Sequence, residues 1–205
     1  MTNDPRSLLT HPMVVRLARA LAGRPGAHAD ADMSVRRAAV AVVLAPGDAG
    51  EPELLFIKRA EYAGDPWSGQ IAFPGGRQEP SDLTLEHTAI RETWEETGLD
   101  LRGATAIGTL DEIHPRTPVL PPIVVRPYVF LAPAPAELAL SAEVAAAFWA
   151  PLPVLARPEA AFEATVEVRH EERRVPAIRH AEYTIWGMTE RILRELFARV
   201  AHDGP

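Results

Sequence analysis

The sequence predicts an α/β domain in which helices cover a sheet, and three observations support that prediction. Short apolar runs rich in Ala, Val and Ile alternate along the chain with segments of helical periodicity. No internal repeat divides the chain into equivalent units. The length of 205 residues, 47% hydrophobic and 24% charged, suits one domain with a full core.

The elements follow in order. Val14, Leu17, Ala18 and Leu21 recur at helical spacing, with Arg16 and Arg19 between them, and predict a short amphipathic N-terminal helix. "AGRPGAHADAD" then reads as linker, which divides the chain into an N-terminal helix and linker over 1–33 and a main domain over 34–205. "RAAVAVVL" from Arg37 to Leu44 reads as a buried strand, "ELLFIKR" as a second, and "QIAF" as a third stopped by Pro74. The segment from Asp82 to Thr97 has no proline, offers Asp82 or Thr84 as cap, and closes on Gly98; it is the central helix. "ATAIGTLDEI" and "IVVRPYVFLA" are further strands separated by the proline-rich loop "HPRTPVLPP". A short helix is expected from Glu143 to Phe148. "ATVEVRHEERRVPAIRH" reads as a hairpin with "HEER" at its tip, "YTIW" as another strand, and Ile192, Leu193, Leu196, Phe197 and Val200 mark a C-terminal helix.

Composition excludes several classes of function. A formal net charge of −7 argues against nonspecific attraction to nucleic acid or to an anionic membrane surface. The absence of cysteine removes disulfides, thiolate metal sites and cysteine nucleophiles together, and fits a reducing compartment. No apolar stretch reaches the roughly 20 residues of a membrane helix. The start "MTNDPRSLLTHP" lacks the basic region and apolar run of a secretory signal, so a cytoplasmic location is expected.

Chemistry concentrates in "RETWEETGL", from Arg91. Residues three and four apart share a helix face, so Glu92, Glu95 and Glu96 are expected to project their carboxylates into one small volume. Alone, such a segment reads as a solvated helix face, and context decides. Arg91 lies one turn before Glu95 and is placed to hold one carboxylate, leaving the others for a cation. Hard divalent ions such as Mg²⁺ take oxygen ligands of this kind. Upstream, Pro74 ends a strand, and Gly75-Gly76 lets the backbone turn tightly and come close to another group, with a carbonyl available to a metal.

At this separation the two features resemble a known pattern. "GGRQEPSDLTLEHTAIRETWEETGL" is similar to the Nudix box, in which a glycine and a spaced acidic residue precede Arg-Glu, Glu-Glu and Gly. Gly76, Arg91, Glu92, Glu95, Glu96, Gly98 and Leu99 match it residue by residue. The stretch from Gly76 to Arg91 is one residue longer than in the commonest form, and the acidic position is Asp82; both features resemble the coenzyme A pyrophosphatase branch. Strand order and the final helix extend the resemblance over roughly residues 34 to 200.

The resemblance implies a Nudix-type α/β/α sandwich, with a central mixed sheet and the loop-helix-loop of the box. It implies metal-dependent hydrolysis of a nucleoside diphosphate linked to another group. Glu92, Glu95 and Glu96 would bind Mg²⁺ or Mn²⁺ with the Gly76 carbonyl, and Arg91 would orient the carboxylates. Glu92 and Glu143 are the candidates for general base; Glu143, in "SAEVAAAFW", also reads as an ordinary helix-start carboxylate.

Coenzyme A is the leading substrate, because "GQIAFPGG" from Gly69 and "IWGMT" from Ile185 also resemble that branch. Its further signature has an arginine soon after the second strand; here Arg59 and Ala60 fit, but Glu61, Tyr62, Ala63 and Gly64 follow, so the later arginine is missing. Arg59, Arg77 and Arg116 are the candidate phosphate contacts, with Lys58 and Arg126 also available, and His114 and Arg116 sit in the proline-rich loop. Trp67, beside Ser68, and Trp186 read either as core plugs or as pocket walls. The alternatives are another Nudix specificity (ADP-ribose, NADH, a dinucleotide polyphosphate or a nucleoside triphosphate) and a noncatalytic nucleotide-sensing module. The N-terminal helix and C-terminal hairpin are candidates for a homodimer contact.

Overall fold

Strand β1 (Arg36–Pro46) is buried on both faces, which is why its Ala- and Val-rich sequence runs without polar alternation. The computed structural model describes residues 4–32, 34–48, 50–62, 67–116, 122–133, 137–168 and 171–201. Along one edge β1 pairs in parallel with β6 (Ile123–Leu131), and β5 (Thr105–Thr109) extends that side antiparallel to β6. Along the other edge β1 meets β2 (Pro52–Arg59) only beside their connecting turn, at Leu44↔Leu54, Ala45↔Glu53 and Pro46↔Pro52. Beyond that point two short strands take over the pairing. β3 (Ile71–Ala72) pairs with β2, and β4 (Gly75–Arg77) pairs with β1. Phe73 and Pro74 join them, and the Pro74 carbonyl accepts the Ala41 N–H at 2.8 Å. The Phe-Pro-Gly-Gly turn is thereby held inside the sheet.

Helices lie on both faces. The central helix α2 (Leu85–Thr97) covers one face, where Ala39, Ala41 and Val43 of β1 pack with Ala89, Leu99 and Phe130. On the other face Val42 and Leu44 join Leu17 and Leu21 of α1 (Pro12–Gly23) and Leu193 and Leu196 of α4 (Gly187–Ala201). The N-terminal helix therefore shares the main core. A three-stranded antiparallel sheet of β8 (Ala161–Val168), β9 (Glu171–His180) and β10 (Tyr183–Trp186) leads into α4. The tip of the β8–β9 hairpin, at 169–170, lies outside the described residues, as does the part of the proline-rich loop at 117–121.

Three expectations are corrected. The segment expected as a helix from Glu143 to Phe148 is strand β7 (Val144–Pro151), paired antiparallel along β2 from Arg59↔Val144 to Glu53↔Pro151. Its alanines favour helix in isolation, but the unpaired edge of β2 offers a full ladder, and tertiary context wins over propensity. The turn of α3 (Leu152–Leu155) follows it. "QIAF" contributes only Ile71–Ala72 as strand, and the strand expected over "ATAIGTLDEI" stops at Thr109, leaving Ile113 as an isolated bridge to Val125. The cap of α2 is Thr84, whose hydroxyl accepts the His87 N–H, and Gly98 ends the helix in the left-handed conformation, with its N–H on the Trp94 carbonyl at 2.8 Å.

Candidate active site

Gly75 and Gly76, expected as the turn itself, open strand β4 just after the bend at Phe73-Pro74, and they meet the face of α2 that carries Glu92 and Glu96 because both β4 and α2 are packed against β1. Gly75 adopts φ of 153°, and a Cβ there would strike the Ala39 carbonyl. A Cβ on Gly76 would collide with the Glu92 carboxylate, so glycine is what lets that carboxylate lie against the backbone here. The Gly75 N–H donates to Glu96 Oε2 at 2.9 Å.

Glu96 is 3% exposed, and Arg59 Nη1 at the end of β2 stands 3.9 Å from its other oxygen. Burial pushes its carboxyl up to about 7; neighbouring Glu92 and Glu143 add to the shift, while the Gly75 N–H and Arg59 oppose it. Burial likewise raises Glu92, against the pull of Arg91 and with further push from Glu95 and Glu143. Glu143, in the turn just before β7, thus acts on both carboxylates. Its own backbone is fixed by the Ala60 N–H, which donates to the Glu143 carbonyl at 2.8 Å.

Arg91 is the hub of the acidic helix. Its Nε and Nη2 grip Asp82 in a two-point contact at 3.0 and 2.8 Å, and Nη2 also donates to the Arg77 carbonyl at 3.1 Å. Nη1 lies 3.0 Å from both Glu92 and Glu95. The Arg91 guanidinium holds the Asp82 carboxyl well below the usual carboxylate range, helped by the Glu79 N–H and the Thr88 hydroxyl. Asp82 is therefore the partner that fixes Arg91 and is not the helix cap. Glu95, 54% exposed at its side chain, is drawn to the helix surface by Arg91. Among the described residues no group of three or more acidic or histidine side chains is gathered at metal-holding distances.

These groups line one cleft of about 440 Å³. Of the residues expected at the site, Gly76, Arg91, Glu92, Glu95, Glu96 and Glu143 line it, and so do Arg59 and Arg77. Arg116 does not. Its guanidinium donates instead to the Asp30 carbonyl of the N-terminal segment at 2.7 Å, and the side chain is 68% exposed. Arg126 lies on a separate cluster with Glu112 and His28. Trp67 lines the cleft, whereas Trp186 pairs within the three-stranded sheet.

Beyond Trp67, the cleft has an aliphatic side that the sequence does not announce, supplied by Ala38, Val40, Ile123, Val125, Met188 and Ile192. The one available signal was "IWGMT", which contains Met188.

The donor set is chemically suited to a hard divalent cation: carboxylate oxygens, those of buried Glu96 and half-buried Glu92 raised in part by mutual repulsion, with the Gly76 backbone packed against the Glu92 carboxylate. A family model for the NUDIX domain matches residues 35–169, more than half of the chain. The chain belongs to the Nudix hydrolase family. It is 32% identical over 166 residues to the uncharacterized Nudix hydrolase NudL of an Enterobacter species, covering 80% of this chain and 83% of that one. It is 28% identical over 175 residues to the mitochondrial coenzyme A diphosphatase of Mus musculus, covering 82% and 80%. It spans only 44% of the length of an uncharacterized Schizosaccharomyces pombe protein, to which it is 36% identical over 144 residues, 60% of this chain. Among solved structures, a MutT/Nudix family protein from Enterococcus faecalis superposes with a TM-score of 0.53 at 19% identity, covering 82% of this chain and 62% of that one. That likeness concerns the fold, the helix-sheet-helix arrangement with a mixed central sheet. Among the described residues no helix is long and apolar enough to cross a membrane.

Proposed function

We propose that this Nudix hydrolase cleaves the pyrophosphate bond of coenzyme A or its derivatives, giving 3′,5′-ADP and 4′-phosphopantetheine. The observation that carries the reading is the buried Glu96 and half-buried Glu92, set with Glu143 and Arg59 in one cleft beside Gly75 and Gly76 of β4. Relationship to a mammalian coenzyme A diphosphatase supports the choice of substrate.

Glu92, Glu95, Glu96 and the Gly76 carbonyl would hold Mg²⁺ or Mn²⁺. Bound there, the ion supplies charge neutralisation for the diphosphate and a lowered pKa for a coordinated water. The chain's own residues do the rest. Arg59 and Arg77 bind non-bridging phosphate oxygens, which a protein of net charge −7 must attract locally. Arg91 orients Glu92 and Glu95 from its anchor on Asp82. Glu143, facing the cleft from a backbone fixed by Ala60, accepts a proton from the attacking water. A cytoplasmic location belongs to the same reading.

A chromatographic panel with Mg²⁺ and with Mn²⁺ tests the proposal. It should show 3′,5′-ADP and 4′-phosphopantetheine appearing from coenzyme A faster than products from ADP-ribose, NADH, dinucleotide polyphosphates or nucleoside triphosphates. Turnover of one of those compounds without cleavage of coenzyme A would overturn it. Nucleotide binding by calorimetry with no turnover under either metal would mark the chain as a sensing module.

A further inference from the structure

The cleft has two chemically different sides, and the carboxylates line only one of them. The other is aliphatic. Ala38, Ile123 and Val125 form a small hydrophobic cluster, and Val40 and Met188 pack between it and the main core. Its floor is laid by neighbouring strands: Ala38 of β1 stands in register with Val125 of β6. Alternation of the strands puts the charged Arg37 and Arg126 on the opposite face, near Glu112.

Met188 comes from elsewhere in the chain. Gly187 turns with φ of 71° from β10 into α4, and the buried Thr189 hydroxyl donates to the Ile71 carbonyl at 2.9 Å. That bond ties the first turn of α4 to β3, two residues before the Phe-Pro-Gly-Gly turn begins its return, so the aliphatic wall and the carboxylate turn share one anchor. This gives "IWGMT" a structural sense: a glycine to turn, a methionine to face the cleft and a threonine to fix it.

Among the described residues Val40 and Met188 are the half-buried members that this cluster presents to the cleft, over a floor of buried Ala38, Ile123 and Val125, and an apolar wall of this kind inside a cleft recognises an apolar part of a ligand. These five side chains carry no charge and no aromatic ring, the cleft's aromatic residues being Trp67 and Phe73, and methionine is unbranched and adaptable. Those properties fit a flexible, uncharged chain better than a planar nucleobase. We infer that Met188 is the specificity-determining residue of the enzyme, contacting the uncharged arm on the far side of the diphosphate, and that Thr189 is its positioning residue. For coenzyme A that arm is pantetheine. The assignment rests on the functional reading given above.

Met188→Gln keeps length and changes polarity, and Val125→Thr does the same on the strand floor. For each, KM for coenzyme A should rise about tenfold with kcat within about twofold, since only binding common to ground and transition state is lost. Product inhibition then separates the two halves of the substrate. 4′-Phosphopantetheine should inhibit both variants about tenfold more weakly, while inhibition by 3′,5′-ADP stays as in wild type. Weakened inhibition by 3′,5′-ADP instead would place the nucleotide on this wall and overturn the inference. So would unchanged KM and inhibition in both variants while the wild type cleaves coenzyme A. If the wild type does not cleave coenzyme A at all, the functional reading fails, and the pantetheine assignment fails with it.

Discussion

Glu96 shows most clearly how a single residue is shaped by its surroundings. In an unfolded chain its carboxyl titrates near 4.3, whereas burial in the fold pushes it up to about 7. The folded state therefore binds that proton more tightly than the unfolded state. The stability Glu96 contributes is fully present below about pH 4 and is lost as pH rises through about 7, an effect on the order of 3 kcal/mol. Without added metal, the thermal unfolding temperature should fall from about pH 5 to about pH 8. Glu96→Gln should flatten that decline, and Mg²⁺ or Mn²⁺ should raise the unfolding temperature of wild type more at the higher pH. The same variant should lose about 100-fold or more in turnover while remaining folded. Glu95→Gln tests the exposed member of the set, and unchanged turnover in either variant would sink the metal assignment.

At the scale of elements, the site is an approach of one helix to one turn. The Thr84 cap and the left-handed Gly98 fix the ends of α2, and the Thr93 and Thr97 hydroxyls, both buried, are satisfied by donating to the Ala89 and Thr93 carbonyls at 2.7 and 2.6 Å. Thr84→Ala should cost about 1 kcal/mol in urea unfolding and leave kcat nearly intact, because the cap stands away from the carboxylates. Gly76→Ala should do the reverse. A methyl there must push the Glu92 carboxylate aside, so activity should fall by about 100-fold or more while stability changes by no more than about 2 kcal/mol. Equal losses in the two variants, measured by urea titration and steady-state assay, would refute this separation.

Over the whole molecule, the N-terminal segment is bound into the domain. Leu17 and Leu21 sit in the main core, and the backbone after α1 is stitched to the loop following β5: the Ala27 N–H donates to Asp111 and the Ala29 N–H to Glu112, each at 2.8 Å. Arg199 of α4 donates to the Arg24 carbonyl at 2.6 Å and to Asp111 at 3.1 Å. Leu17→Ala should therefore destabilise the entire domain by about 3 kcal/mol, with one unfolding transition seen by calorimetry. A separate early transition with the main one unmoved would show α1 to be an appendage.

Elements with local signals were legible in the chain alone: a 3.6-residue apolar period for α1 and α4, the Gly98 end of α2, and runs rich in Ala and Val for β1 and in Val for β6. So were the acidic helix and its glycine pair, because helical spacing and a spaced glycine are written in order along the chain. The rest depends on which partners the folded chain brings together. The Ala-rich segment after Glu143 became a strand because β2 had a free edge to pair. Asp82 went to Arg91 and left the cap to Thr84. Arg116 went to Asp30 and left the cleft to Arg59 and Arg77. Met188 joined Val125 across 63 residues to make a wall that no spacing rule announces. Burial raised Glu92 and Glu96 for the same reason: desolvation is a property of the packed core, and a run of glutamates alone does not contain it.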